Sequence, residues 1–183
     1  MERGLVGARI RSLRESRGLT LSAFARMVGV SSGLISQVER GLTDPSLETL
    51  RRIARALQVP IFSLFQDDVG AESGRVVRRD RRMSIRSPQG QLTYSRLSAG
   101  AGALEMLEGV LDPGGSSSDE LWSHPSEECA LVLSGEVTVE VGDEEWLIGE
   151  GDSCSFDSRV PHRYVNRTNR PCRFVLAVTP PSF

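Results

Sequence analysis

The chain has 183 residues, and its 22 basic residues, all arginine, stand against 24 acidic ones. This length suits one large domain or two small ones. No stretch reaches the roughly 18–20 consecutive apolar residues that span a bilayer, and the N-terminus has no apolar signal region. The sequence therefore predicts a cytoplasmic protein with no membrane partner.

Charge is unevenly distributed along the chain. Residues 1–65 carry 10 arginines and 5 acidic residues, whereas residues 66–183 carry 12 arginines and 19 acidic residues. A basic first third would attract phosphates, and an acidic remainder would not. This asymmetry favours two domains with different partners.

The three cysteines, Cys129, Cys154 and Cys172, are widely spaced and lie among apolar residues. Their spacing fits neither a zinc finger nor a disulfide framework. We expect three buried thiols in a reducing compartment.

Apolar residues at steps of three and four predict a compact all-helical domain at the N-terminus. The predicted helices cover residues 6–16, 21–28, part of 29–41, 47–57 and, as a short helix or turn, 60–65. Thr20 is a predicted cap of the second helix.

Residues 29–41 predict a turn followed by a short helix. Gly29 can take the left-handed backbone that ends one helix, and Ser31 or Ser32 can cap the next. One face of this helix is an apolar stripe, and the other carries small or amide side chains: Ser32, Gly33, Ser36 and Gln37. Glutamine can pair with the edge of adenine and serine with bases or phosphates, so this face suits a DNA major groove. The alternative is an amphipathic helix of some bundle with a solvated polar face.

The flanking residues decide between these alternatives. Residues 9–65 resemble the lambda-repressor-like helix-turn-helix domain of the xenobiotic-response-element (XRE) family of bacterial regulators. The match holds at Arg14, Gly18, Leu19, Thr20, Ala25, Gly29, Val30, Ser31, Ile35, Ser36, Glu39, Arg40, Gly41, Pro45, Leu50, Ala54 and Leu57.

The resemblance implies roles for individual residues. Arg14 and Glu39 would form a structural ion pair, for which the planar guanidinium is well suited. Base contacts would come from Ser31, Ser32, Gly33, Ser36 and Gln37, and phosphate contacts from Arg40 and Thr43. Leu21 departs from the pattern, because many relatives carry a glutamine there that touches the DNA backbone.

Residues 66–74 lack apolar periodicity and predict a linker. Residues 75–82 follow with six charges in eight positions. They predict a solvated connector or a first edge strand; alternatively, their arginines supplement phosphate contacts. We therefore divide the chain into a DNA-binding domain (1–65), a linker (66–82) and a second domain (83–183).

From about Leu92 the apolar period changes to two. Predicted strands cover residues 104–111, 130–133, 137–141, 146–148 and 173–179, with glycine-containing turns between them. Short, closely spaced strands of this kind indicate a β-sandwich or jelly roll.

The only two histidines lie in this second domain. His124 is followed by Glu128 and Gly135, and His162 lies in a Pro-His-x-x-x-Asn sequence that follows a Gly-Asp turn. These settings resemble the two motifs of the cupin family, a small jelly-roll barrel, over residues 104–178. The resemblance implies an effector pocket at Trp122, His124, Glu128 and His162.

Metal-binding cupins use two histidines and a glutamate from the first motif and one histidine from the second. Here Trp122 takes the place of the first histidine, which leaves His124, Glu128 and His162. Two imidazoles and a carboxylate can hold one divalent metal, zinc, iron or nickel, with open positions. Without a metal, the histidines would hydrogen-bond to Glu128 or to an organic ligand.

The combination resembles bacterial transcription factors in which a cupin senses a small molecule and a helical domain binds an operator. It implies an N-terminal all-α helix-turn-helix domain plus a C-terminal all-β cupin jelly-roll barrel. We expect a homodimeric regulator, a repressor, on a palindromic double-stranded DNA operator, with a small-molecule effector and no catalytic residues. The alternatives are a metal-dependent dioxygenase or isomerase tethered to a DNA-binding domain, and a barrel that only dimerises.

Overall fold

A computed structural model describes residues 3–65, 76–87, 91–99 and 102–181. The chain divides into two compact units, with the boundary between residues 71 and 72. The first unit is helical and the second consists of antiparallel strands, which confirms the predicted fold class. Residues 66–75 of the predicted linker lie outside the described residues, whereas residues 76–82 are described. Within the described part of the chain, no helix has both the length and the apolar character that a membrane crossing requires.

Residues 3–65 of the helical unit form four α-helices and a closing 3₁₀ helix. They are α1 (Arg3–Ser16), α2 (Leu21–Val28), α3 (Ser32–Glu39), α4 (Leu47–Leu57) and the 3₁₀ helix Ile61–Phe65. The hydroxyls of Thr20, Ser31 and Ser46 accept a backbone N–H at the starts of α2, α3 and α4. Side-chain caps of this kind satisfy a backbone donor that the helix leaves unpaired, and they fix where each helix begins.

The turn between α2 and α3 depends on Gly29, whose φ of 75° is the left-handed conformation expected from the sequence. Ser31, not Ser32, provides the cap of α3. The core behind these helices is apolar and fully buried, and includes Ile10, Phe24, Ile35, Ile53, Leu57 and Phe62.

The strand unit contains two antiparallel sheets. Its strands are β1 (Ser84–Arg86), β2 (Leu92–Arg96), β3 (Glu105–Leu111), β4 (Glu127–Ser134), β5 (Glu136–Val141), β6 (Glu144–Gly149), β7 (Ser153–Asp157), β8 (His162–Val165) and β9 (Cys172–Thr179). One sheet has the order β1-β2-β3-β9-β4-β7 and the other β6-β5-β8. Before β1 comes a 3₁₀ turn, Arg79–Arg81, so the described part of residues 75–82 is not an edge strand.

Alternate residues of the six-stranded sheet face the interior of the barrel. On β9 the buried positions are Cys172, Phe174, Leu176 and Val178, and on β4 they include Glu128, Ala130 and Val132. Because strand neighbours point to opposite faces, Cys129 is exposed on β4. Cys154 is half-buried and only Cys172 is buried, so the prediction of three buried thiols was wrong.

Candidate DNA-binding surface and barrel site

The two faces of α3 differ in burial. Ile35 and Val38 are buried against the rest of the helical unit. Ser32, Gly33 and Gln37 are exposed, and Ser36 is half-buried. This helix therefore keeps an accessible polar face while its apolar stripe holds it in place.

The remaining predicted contact residues lie at the two ends of α3. Ser31 is the exposed cap before the helix. Arg40 ends it and is exposed, with its Nε donating to the Ser36 carbonyl oxygen at 3.1 Å. Thr43 is half-buried in the loop that follows.

The structure brings Arg14 and Glu39 together as a two-pronged ion pair. Arg14 Nε donates to Glu39 Oε1 at 2.6 Å, and Nη2 donates to Oε2 at 2.9 Å. Nη1 donates to the Leu19 carbonyl oxygen at 2.8 Å. The hydrogen bonds to Glu39 raise the pKa of Arg14 against the opposing effect of burial. With both oxygens and the guanidinium engaged inside the unit, this pair joins α1 to α3 and is not offered to DNA.

The barrel site is assembled from both sheets and one connecting segment. Glu128 lies on the inner face of β4, and His162 lies on β8 of the other sheet. The connecting segment pairs with β8 through a bridge between Trp122 and His162, and the His124 N–H donates to the Ser158 carbonyl oxygen at 2.9 Å. Backbone pairing thus brings His124 and His162 to the same carboxylate.

The nitrogens of the two imidazoles surround Glu128 Oε1. His124 Nε2 lies 2.7 Å from this oxygen and His162 Nε2 lies 3.5 Å from it. The contact with His124 is close but poorly aligned, and neither nitrogen of this buried ring has a hydrogen-bond partner among the described residues. Buried polar atoms without partners are rare, and each calls for an explanation such as a bound water, ion or ligand.

The tautomer of His162 strengthens this argument. Its Nδ1 lies 2.9 Å from the Val160 carbonyl oxygen, which can only accept, so Nδ1 carries the hydrogen. In the neutral ring Nε2 then has a bare lone pair facing the carboxylate oxygen. A cation held by His162 and Glu128 would remove the repulsion, and a backbone carbonyl that fixes the imidazole is typical of metal sites.

Tyr164 holds the other oxygen of Glu128. Its hydroxyl donates to Glu128 Oε2 at 2.9 Å, which links the two sheets through the barrel. Burial, and then the charge of Glu128, raises the pKa of Tyr164 well above its usual value. Burial acts to raise the pKa of Glu128, and hydrogen bonding or positive charge at His124 and His162 acts to lower it; the lowering prevails.

Aromatic rings enclose the three polar groups. Trp122 stacks on His124 with ring centres 4.4 Å apart, and Phe156 lies 4.9 Å from His162. Sequence reasoning missed Phe156 and Tyr164. Tyr164 follows His162 by two positions, and this spacing places both on one face of a strand.

These groups form a coherent donor set. Ligand atoms of His124, Glu128 and His162 lie within 4.8 Å of one another, and all three residues are buried. Two imidazole nitrogens and one carboxylate oxygen match the ligands that zinc and iron accept in open sites. The residues present therefore fit a divalent metal. The Trp122 ring borders this site, because it lies against both histidines.

Comparison with known proteins agrees with both units. A helix-turn-helix family model matches residues 10–64, and a cupin domain model matches residues 107–178. Transcriptional regulator ClgR of Mycobacterium tuberculosis is 34% identical over 53% of this chain and 82% of that protein. The chain belongs to the helix-turn-helix family of transcriptional regulators.

Two further members of this family match almost the whole chain. HTH-type transcriptional regulator PuuR of Escherichia coli is 22% identical over 97% of this chain and 96% of that protein. The crystal structure of an HTH_3 family transcriptional regulator from Vibrio cholerae is 26% identical, with a TM-score of 0.76 over 98% of this chain and 97% of that one. The protein is thus a DNA-binding transcriptional regulator of the XRE type with a C-terminal cupin domain.

Proposed function

We propose that this regulator is a homodimeric repressor that reads a palindromic operator through α3. The exposed polar face of α3, opposite the buried Ile35 and Val38, carries this proposal. In it, base edges are contacted by Ser31, Ser32, Gly33, Ser36 and Gln37. Arg40 and Thr43 contact phosphates, and they set the position of the helix without reading sequence. A two-fold dimer would place its recognition helices roughly 34–36 Å apart, or a multiple of that distance.

The test of this part is selection of operators from random duplexes by the full-length protein, followed by sedimentation of the complex. We expect an enriched inverted repeat and two chains per duplex. Enrichment of a single half-site by a monomer would contradict the dimer. Repression is expected as loss of reporter transcription from a promoter that overlaps the selected operator, whereas increased transcription would contradict it.

We propose that the barrel binds a small-molecule effector at the site formed by Trp122, His124, Glu128 and His162. The unpartnered nitrogens of buried His124 support a ligand there. His124, Glu128 and His162 would hold one divalent metal, zinc, iron or nickel, which when bound supplies a Lewis-acidic centre for an oxygen or nitrogen atom of the effector. Trp122 and Phe156 would exclude water from the bound effector, because their rings border both histidines.

Control of DNA binding requires that the barrel ligand favours one state of the protein over another. We expect operator affinity to differ between metal-loaded and chelator-treated protein by roughly 5–150-fold, the usual range of coupling between two sites. The His124→Ala variant is the matched control and should show no difference. Equal affinities of loaded and chelated wild-type protein would contradict control by the metal.

The same donor set is the specific observation that favours an alternative, a metal-dependent dioxygenase or isomerase. Two histidines and a glutamate with open positions also occur in catalytic sites. We propose that the barrel does not turn over a substrate, because PuuR, which matches 97% of this chain, is named as a transcriptional regulator. Oxygen consumption by the iron-loaded protein with candidate substrates, absent in His162→Ala, would establish the enzyme instead. A barrel that only dimerises would show no rise in melting temperature with any metal or metabolite.

A further inference from the structure

At least half of the arginines of the strand unit form ion pairs with carboxylates. Within the described residues, six of them lie in ion pairs: Arg82, Arg96, Arg159, Arg163, Arg167 and Arg173. Several of these pairs share an acid, as when Glu108 accepts from both Arg82 and Arg173. These six arginines therefore have their charge balanced by acidic residues of the same unit.

Three arginines on the short turn before β1 are an exception. Arg78, Arg79 and Arg81, which we call the arginine turn, are exposed and form no ion pair with any described residue. Asp80 is the only acidic residue among them. Arg79 interacts electrostatically with Glu108, but the oxygens of that carboxylate already accept hydrogen bonds from Arg173 and Arg82.

The arginine turn is fixed to the barrel at its end. Arg82, the next residue, is partly buried and its Nη1 donates to Glu108 Oε2 on β3 at 2.8 Å. The turn itself is closed by the Arg81 N–H, which donates to the Arg78 carbonyl oxygen at 3.0 Å. Three arginines thus lie within four consecutive residues of a defined turn, and an anionic partner would best relieve the repulsion between their charges.

We propose that the arginine turn binds backbone phosphates of the DNA beside the half-site that α3 reads. Thirteen peptide units separate Phe65, the last residue of the helical unit's 3₁₀ helix, from Arg78. Covalent geometry limits their separation to about 45 Å, so the turn stays within reach of DNA held by the same chain. When α3 binds DNA, the effective concentration of phosphates around the arginine turn rises. Contacts between its arginines and these phosphates can then form even if each is weak. Guanidinium groups suit phosphate oxygens in geometry as well as in charge.

The test is the salt dependence of operator binding by full-length protein. Each phosphate neutralised by a cationic side chain contributes about 0.9 to the slope of log affinity against log salt concentration. The duplex for this test carries the operator with about 10 flanking base pairs, one helical turn. On it, we expect the salt slope of the Arg78→Gln/Arg79→Gln/Arg81→Gln variant to be smaller than that of wild type by about 2–3. Its preference for the operator over a scrambled duplex should stay unchanged, because phosphates carry no sequence information.

Two controls make the result specific. Arg170→Gln removes one exposed arginine elsewhere on the barrel and should leave the slope unchanged, whereas Arg79→Gln alone should lower it by about 1. On a duplex trimmed to the operator itself, wild type and triple variant should bind alike. Equal slopes of wild type and triple variant on the flanked duplex would overturn the inference while leaving operator binding intact. Failure of the wild type to bind any duplex would overturn DNA binding, and the inference with it.

Discussion

The two units bury a glutamate in opposite ways. In the helical unit, Arg14 engages both oxygens of Glu39 with aligned hydrogen bonds. In the barrel, Tyr164 engages one oxygen of Glu128, and the other lies 2.7 Å from Nε2 of His124, a ring whose two nitrogens have no hydrogen-bond partner among the described residues. A buried ion pair whose groups bond to each other would be costly to break, whereas a buried imidazole that lacks a partner beside a carboxylate leaves room for a bound ligand or ion.

The largest change in stability is expected when the buried ion pair between Arg14 and Glu39 is broken. Glu39→Ala should lower the free energy of unfolding of the helical unit by about 3–5 kcal/mol, because Arg14 would stay buried without its partner. The matched control is Glu48→Ala, which removes an exposed pair with Arg52 and should cost less than about 1 kcal/mol. Urea unfolding followed by helical circular dichroism measures both. Equal losses would show that the buried pair has no special role.

A smaller effect is expected at the hydroxyl that orients Glu128. Tyr164→Phe keeps the ring and should weaken zinc binding by about 10–100-fold, the range found for groups that position metal ligands. Competition with a chromophoric chelator gives the dissociation constant. Tyr94→Phe, which alters another buried ring packed against Phe174, is the control. Unchanged zinc affinity in Tyr164→Phe would remove Tyr164 from the site.

On the accessible face of α3 the effect should appear in DNA recognition and not in folding. Gln37→Ala should reduce discrimination at one base pair by about 1–3 kcal/mol, with little change in unfolding. Ser12→Ala, exposed on α1, serves as the control. Anisotropy titrations with matched and single-mismatch operators measure this. If both duplexes weaken equally, Gln37 reads no base.

The smallest effect is expected on the outer side of the barrel. Hydrogen bonding to Arg173, then the charges of Arg173 and Arg82, lowers the pKa of Glu108 from its ordinary 4.5. Its contribution to stability is therefore present above pH 4.5 and is lost as the pH falls through the lowered value. Glu108→Gln should be less stable than wild type near pH 7 by at most about 1 kcal/mol, and the difference should shrink in acid. A difference that grows in acid would contradict this account.

The helical unit could be predicted closely from sequence because its signals are local. Thr20 caps α2 and Gly29 takes the left-handed conformation, as expected. α4 also has the predicted bounds. These features depend on a few neighbouring residues, and helical periodicity shows which face is buried.

The barrel was harder to predict because the register of each strand decides which of its side chains point into the barrel. β7 and β8 are short and interrupted by polar residues, and neither was predicted as a strand. Without β8, the shared face of His162 and Tyr164 could not be recognised. The exposure of Cys129 follows from the inward position of Glu128 beside it, which only the pairing of β4 with β7 and β9 defines.

The measurement that tests the contrast between Glu39 and Glu128 most directly is the metal content of protein purified without chelator, with His124→Ala alongside. Glu128 lies beside His124, whose ring nitrogens no described residue satisfies, and both belong to the buried group of potential ligands. We therefore predict close to one equivalent of zinc, iron or nickel per chain in the wild type and its loss in the variant. No metal in either protein, even after dialysis against each of the three ions, would contradict the metal site.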